Sequence, residues 1–276
     1  HFNREVNKGA ELNPQVDMQA IWSTKGASGK SDFNALINKN DIISHDLFLY
    51  NREKGRVFTS GDLFVSPRID NLECAYTTLE GFLNAENEKD ILVYACFNHE
   101  EIGSATKQGA GSTFLKDVLE RIGYAFNKTW EEQKIALANS VLVSADNAHA
   151  IHPNRGEKFD PTNFVKMNEG IVIKHSARQS YTTDAFSTAL FQEACKKANV
   201  PYQAFANRSD ERGGGTLGAI SSSQVSITSI DIGLAQLAMH SALETAGTKD
   251  VIYMIKAIQS FMGMEYFVEQ PNWLLK

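Results

Sequence analysis

The chain has 276 residues, with 27 Lys+Arg against 33 Asp+Glu, a formal net charge of −6, 42% hydrophobic and 22% charged residues. That length suits one large domain, or one domain plus a smaller piece, and the composition excludes a disordered or fibrous chain. An acidic balance without a Lys/Arg-rich run argues against nucleic acid, and no apolar stretch approaches the ~20 residues of a bilayer span, so a cytoplasmic protein without membrane contact is expected.

In chain order, residues 23–31 form a polar, Gly-containing loop, and Asp46–Tyr50 and Arg56–Thr59 read as short strands. Composition shifts near Gly61. Ile69, Leu72, Tyr76, Leu79 and Leu83 are spaced as one buried helix face, with Pro67 and Asp70 suited to its start. The continuous apolar run Ile91–Phe97 predicts a strand covered on both faces, followed by a helix over 112–122. Further strands are expected at Val141–Val143, Ile171–Ile173, Tyr202–Ala206 and Ile227–Ile232. Helices are expected near 129–138, 183–198 and 217–224, and a closing helix over Met239–Met262 with Val251, Ile255, Ile258 and Met262 inward. This alternation predicts an α/β domain with a largely parallel, mixed sheet flanked by helices. Cys74, Cys96 and Cys195 are widely spaced among apolar neighbours and read as buried free thiols of a reducing compartment.

In such sheets, sites form beyond the carboxyl ends of strands. There stand Asn98-His99-Glu100-Glu101-Ile-Gly103, after the run ending at Phe97, and Ser144-Ala-Asp146-Asn-Ala-His149, after Val143. Asp70 heads a helix, and His240 follows the strand at 227–232 and its loop. Taken singly, an Asp at a helix start is a cap and a Glu pair is a solvated loop. Taken together, crowded carboxylates repel unless a cation neutralises them, and an Asp/Glu/His set suits zinc. One of two vicinal glutamates can coordinate while the other serves as general base, and two ions would share a bridging carboxylate. One competitor matches literally: Gly213-Gly-Gly215-Thr-Leu-Gly218 fits G-x-G-x-x-G, with Asp231 placed 18 residues beyond Gly213. Arg208–Arg212 separates those glycines from the strand, whereas a dinucleotide turn wants its first Gly at the strand end.

Six ordered blocks carry a resemblance: Ser66-Pro-Arg-Ile-Asp70-Asn-Leu, Asn98-His-Glu-Glu101-Ile-Gly-Ser, Ser144-Ala-Asp146-Asn-Ala-His-Ala-Ile-His-Pro-Asn154, Val172-Ile-Lys174, Gly215-Thr-Leu-Gly218 and Gln236-Leu-Ala-Met-His240-Ser. In these the chain resembles the aspartyl aminopeptidase and aminopeptidase I family of two-zinc exopeptidases. The resemblance implies two zinc ions bridged by Asp70, with Glu101 and His240 completing one, Asp146 on the other, and Glu100 as general base. It implies removal of an acidic or neutral N-terminal residue from peptides through a metal-bound hydroxide. Lys174 would pair with an acidic substrate side chain, Gly215 would lie in the substrate loop, and His1 would reach into a neighbour's site. Residues 1–58 would be the remainder of an inserted β-rich dimerization domain, 59–276 the catalytic domain, and subunits of the family assemble as homo-oligomers, up to dodecamers. The family's His-x-Asp-Ser-Pro block, whose His completes the Asp146 metal, is absent here, so the resemblance also implies an incomplete metal set. A catalytically incomplete relative is the alternative reading, and a dinucleotide-binding protein the third.

Overall fold

The computed structural model describes residues 7–20, 41–58, 60–211, 213–269 and 272–275; His1, the loop at 23–31 and Thr59 lie outside them. The chain forms two compact units, His1–Tyr50 and Asn51–Lys276. Within the first unit, the expected strand at Asp46–Tyr50 is absent: these residues are exposed and irregular, and a lone extended segment without a ladder partner gains nothing from becoming a strand.

The second unit holds two main sheets. One has the order β1-β2-β9-β8-β4, from Arg56–Phe58 (β1), Leu63–Ser66 (β2), Glu244–Gly247 (β9), Ala235–Leu237 (β8) and Ala148–His149 (β4). The other has the order β3-β7-β5-β6, from Val141–Ala145 (β3), Thr228–Gly233 (β7), Ile171–His175 (β5) and Tyr202–Ala206 (β6). It is mixed: β3 runs parallel to β7 and β5 parallel to β6, while β5 meets β7 antiparallel. A short hairpin, Tyr266–Glu269 (β10) with Asn272–Leu275 (β11), stands apart. The helices are Ile69–Leu83 (α1), Phe114–Ala125 (α2), Trp130–Ala138 (α3), Ala185–Lys197 (α4), Leu217–Ser222 (α5) and Thr248–Met262 (α6). Local chemistry sets several boundaries. Thr129 and Glu132 form a capping box at the head of α3, and Asp184 with Ser187 does the same for α4.

The core lies where α1, α4 and α6 cover the β3-β7-β5-β6 sheet, with Cys74, Ile171, Ile173, Phe191, Ile230, Ile232, Met254 and Ile258 all buried. The two sheets share a bent ribbon. β3 continues into β4 and β7 into β8, and the ladder runs through the bend by Asp146 N–H to Ile232 O (3.0 Å) and Ala148 N–H to Leu234 O (2.8 Å). Gly233 makes the bend possible, since a Cβ there would collide with the Asp146 carbonyl oxygen.

Three sequence expectations need correction. Of the expected apolar face of α1 Ile69 is buried and Leu79 half-buried, but Leu72 (59% exposed), Tyr76 and Leu83 face out, and Glu73, Cys74, Thr77 and Gly81 complete the inward face. Its partner α6 crosses so closely at Gly81 that a Cβ there would meet Ile258, while Leu72, Tyr76 and Leu83 stay exposed. Ile91–Phe97 is not a strand, because no neighbouring strand pairs with it among the described residues. The closing helix begins at Thr248, not Met239: Ala238 (φ 59°) and His240 (φ 67°) turn the chain back, and β9 pairs with both β2 and β8. Of its expected inner face Ile258 is fully buried, beside Met254, Ala257 and Phe261, and Cys96 is exposed, unlike the other two thiols. No helix among the described residues is long and apolar enough to cross a membrane.

Candidate metal centre

Four segments converge on one cluster. Asp70 heads α1 but is no cap: its backbone is extended (φ −75°, ψ 113°), the Asp70–Asn71 peptide is cis, and its carboxylate lies in the cluster. Glu100 and Glu101 occupy a tight loop held by Gly103 N–H to Glu100 O (2.8 Å) and Ser104 N–H to His99 O (2.9 Å), with Gly103 at φ 98°, where a side chain would be strained. Asp146 sits at the ribbon bend beside Gly233, and His240 in the turn between β8 and β9.

The His240 Nε2 atom lies 3.0 Å from Asp70 Oδ2 and 3.1 Å from Glu101 Oε1, and the three ligand atoms all fall within 4.8 Å of one another. Asp146 flanks this trio, near enough for its charge to act on Asp70. Burial, then the Asp146 and Glu101 charges, push Asp70 up to about 7. Glu100 is raised by burial and by Asp146 and Glu101. For His240 burial works downward, but Glu101 and Asp70 prevail and lift it above its usual value.

Lys174 is buried, and its ammonium donates to Asn147 O (2.8 Å) and lies 3.4 Å from Asp146 Oδ2. It therefore faces a cluster carboxylate. Gly215 stands in an exposed loop with open space at its Cβ position, and the adjoining Thr216 donates to Asp231 Oδ1 at 2.6 Å. Asp231 is wholly buried and also accepts from the Thr182 amide and hydroxyl, so it cannot present a carboxylate to a ribose; this removes the basis of the dinucleotide reading.

Beneath the cluster lies a network the sequence reading missed. Asn147 Nδ2 donates to Glu73 Oε2 (2.8 Å) and Gln236 Oε1 (2.9 Å), and Cys74 Sγ donates to Asn147 Oδ1. Asn71 Nδ2 reaches Ala145 O at 2.9 Å, tying the Asp70 segment to the end of β3. A Glu beside a Cys inside an apolar helix pattern was the one available signal.

Two carboxylates and an imidazole converging at ligand spacing, with a third carboxylate alongside and raised acid pKa values, is a donor set that fits zinc, because a cation relieves the repulsion that keeps protons on these acids. Fold and site together define a zinc-peptidase-like α/β protein. The model of the family described as Aminopeptidase I zinc metalloprotease (M18) matches residues 1–262, and the chain belongs to that family. It is 45% identical over 273 residues to a probable M18 family aminopeptidase 2 of Clostridium novyi, covering 96% of this chain and 63% of that protein, so it spans less than two thirds of the relative's length. Similar solved structures include a chain of an Ape4 and Nbr1 complex (TM-score 0.73, 36% identity, 76% of this chain and 41% of that one) and the S. cerevisiae mApe1 dodecamer (TM-score 0.66, 30% identity, 77% and 48%).

Proposed function

We propose that the chain serves a metalloaminopeptidase that removes an acidic or neutral N-terminal residue from peptides. The observation that carries this reading is the meeting of Asp70, Glu101 and His240 within ligand distance, with Asp146 on the flank and Glu100 beside it. Two zinc ions are the proposed load: Asp70, Glu101 and His240 hold one, and Asp70 with Asp146 contributes to the other. Bound zinc supplies Lewis-acid polarisation of the scissile carbonyl. Glu100 is the general base. A carboxylate raised by burial and like charges takes a proton from the attacking water and returns it to the leaving amine.

Residues 1–58 are proposed as part of a dimerization domain, with His1 reaching a neighbouring site and Gly215 lining the substrate loop. Assembly into a homo-oligomer is supported by the dodecameric mApe1, and a cytosolic setting by three free thiols. The second reading, a relative with an incomplete second metal, is favoured by one observation: the buried Lys174 ammonium lies 3.4 Å from Asp146 Oδ2.

Metal analysis and kinetics decide. About two zinc ions per chain are expected of the enzyme and one of the incomplete centre. Glu100→Gln is expected to abolish hydrolysis of aminoacyl anilides, a loss of at least ~100-fold for a general base, while leaving zinc content unchanged. Normal turnover by that variant would refute Glu100 as the base. Comparing acidic with leucyl anilides measures the side-chain preference.

A further inference from the structure

We propose that Glu244 is a positioning residue for the metal centre, holding the two ligand-bearing residues Asp70 and His240 in register through their backbone amides; the proposal rests on the zinc reading above. Glu244 opens β9 and is 2% exposed. Its Oε2 accepts from the Asp70 N–H at 2.9 Å and its Oε1 from the His240 N–H at 2.7 Å. One carboxylate thus joins two segments that are 170 residues apart in sequence.

The strand order explains why this residue can do so. β9 lies between β2 and β8 in the sheet; β2 runs on to Asp70 and β8 to His240. Glu244 pairs with Ser66 across the β2 ladder, and Gln236 of β8 pairs with Ala246, so the base of the Glu244 side chain is fixed relative to both strands. Both amides sit where regular structure offers no acceptor, one in the first turn of α1 and the other in a turn at φ 67°. A carboxylate meets this demand with two equivalent oxygens and charge-assisted bonds, whereas an amide side chain would turn an NH2 against one of the N–H groups. The result is the 3.0 Å approach of His240 Nε2 to Asp70 Oδ2, two ligand atoms already placed for one ion. Groups that orient metal ligands from behind act on affinity in this way.

Zinc affinity, measured by competition with a chromophoric chelator, tests the inference on the whole chain. Glu244→Gln is expected to bind zinc 10- to 100-fold more weakly than wild type. Its thermal midpoint in excess chelator should stay close to that of wild type, and Glu244→Asp should recover part of the lost affinity. Equal zinc affinity in wild type and Glu244→Gln would overturn the proposal. If Glu244→Gln fails to fold, amide hydrogen exchange on the wild-type chain decides. A protected His240 amide, in a turn whose ring is exposed, supports the clamp, and exchange at the rate of an open turn overturns it. Should the wild-type chain bind no zinc, the metallopeptidase reading is what fails, and the same exchange measurement still reports whether Glu244 holds the two segments.

Discussion

Glu73 shows how a residue outside the cluster responds to burial. Burial pushes its carboxyl up to about 8, against the Asn147 hydrogen bond that works downward, so the group is largely protonated at neutral pH. A carboxyl that holds its proton more tightly folded than unfolded makes the fold lose stability as pH rises from about 4.5 through about 8. Glu73→Gln, neutral at every pH, should remove that share of the slope. Urea unfolding in chelator between those pH values is expected to show the wild-type unfolding constant rising by up to ~10-fold per pH unit more steeply than the variant's. An unchanged slope would show that Glu73 is not the titrating group. The clustered residues Asp70, Glu101 and His240 were legible in the sequence because acidic residues and a His stood just past apolar runs. Glu73 and Asn147 were not, since a partner that is distant in sequence leaves no periodicity.

Elements were legible wherever a segment was apolar and its neighbours belonged to the same chain. β5, β6 and β7 fell within a residue or two of expectation, as did α3 and α4, and α2 within three. The failures at α1 and at Ile91–Phe97 share one cause: periodicity reports that a face is apolar, not what covers it. The stripe Leu72, Tyr76 and Leu83 pointed the reading to the wrong side of α1, because the helix contact with α6 is made through Gly81. A Cβ at Gly81 would stand 2.7 Å from the Ile258 Cβ and 2.9 Å from the Ile255 carbonyl oxygen, and the latter belongs to backbone that cannot swing away. Helix propensity favours Gly81→Ala by ~1 kcal/mol, and overpacking opposes it by ~1–3 kcal/mol. The clash should prevail, lowering the thermal midpoint by a few degrees in differential scanning calorimetry. A higher midpoint would mean that the two helices can part without loss.

At the scale of the whole molecule, the outer side of α1 and the segment from Ile91 leave large apolar side chains in water, Leu72, Tyr76, Leu83 and Ile91 each more than half exposed. Contiguous apolar surface of this kind binds hydrophobic dyes and promotes association. The chain is expected to enhance ANS fluorescence, and the pair Leu72→Ser with Tyr76→Ser to reduce it without loss of helical circular dichroism. Equal dye binding by both would place the hydrophobic surface elsewhere. The bent ribbon has a different consequence. Asp146 lies at the bend where the sheets meet, Asp70 and His240 hang from the strands of one sheet, and Asn71 grips the end of β3 in the other. Ions joined through Asp70 to His240 on one side and to Asp146 on the other would act as rivets through a seam, so that emptying the centre slackens the joint between two otherwise intact halves of the core.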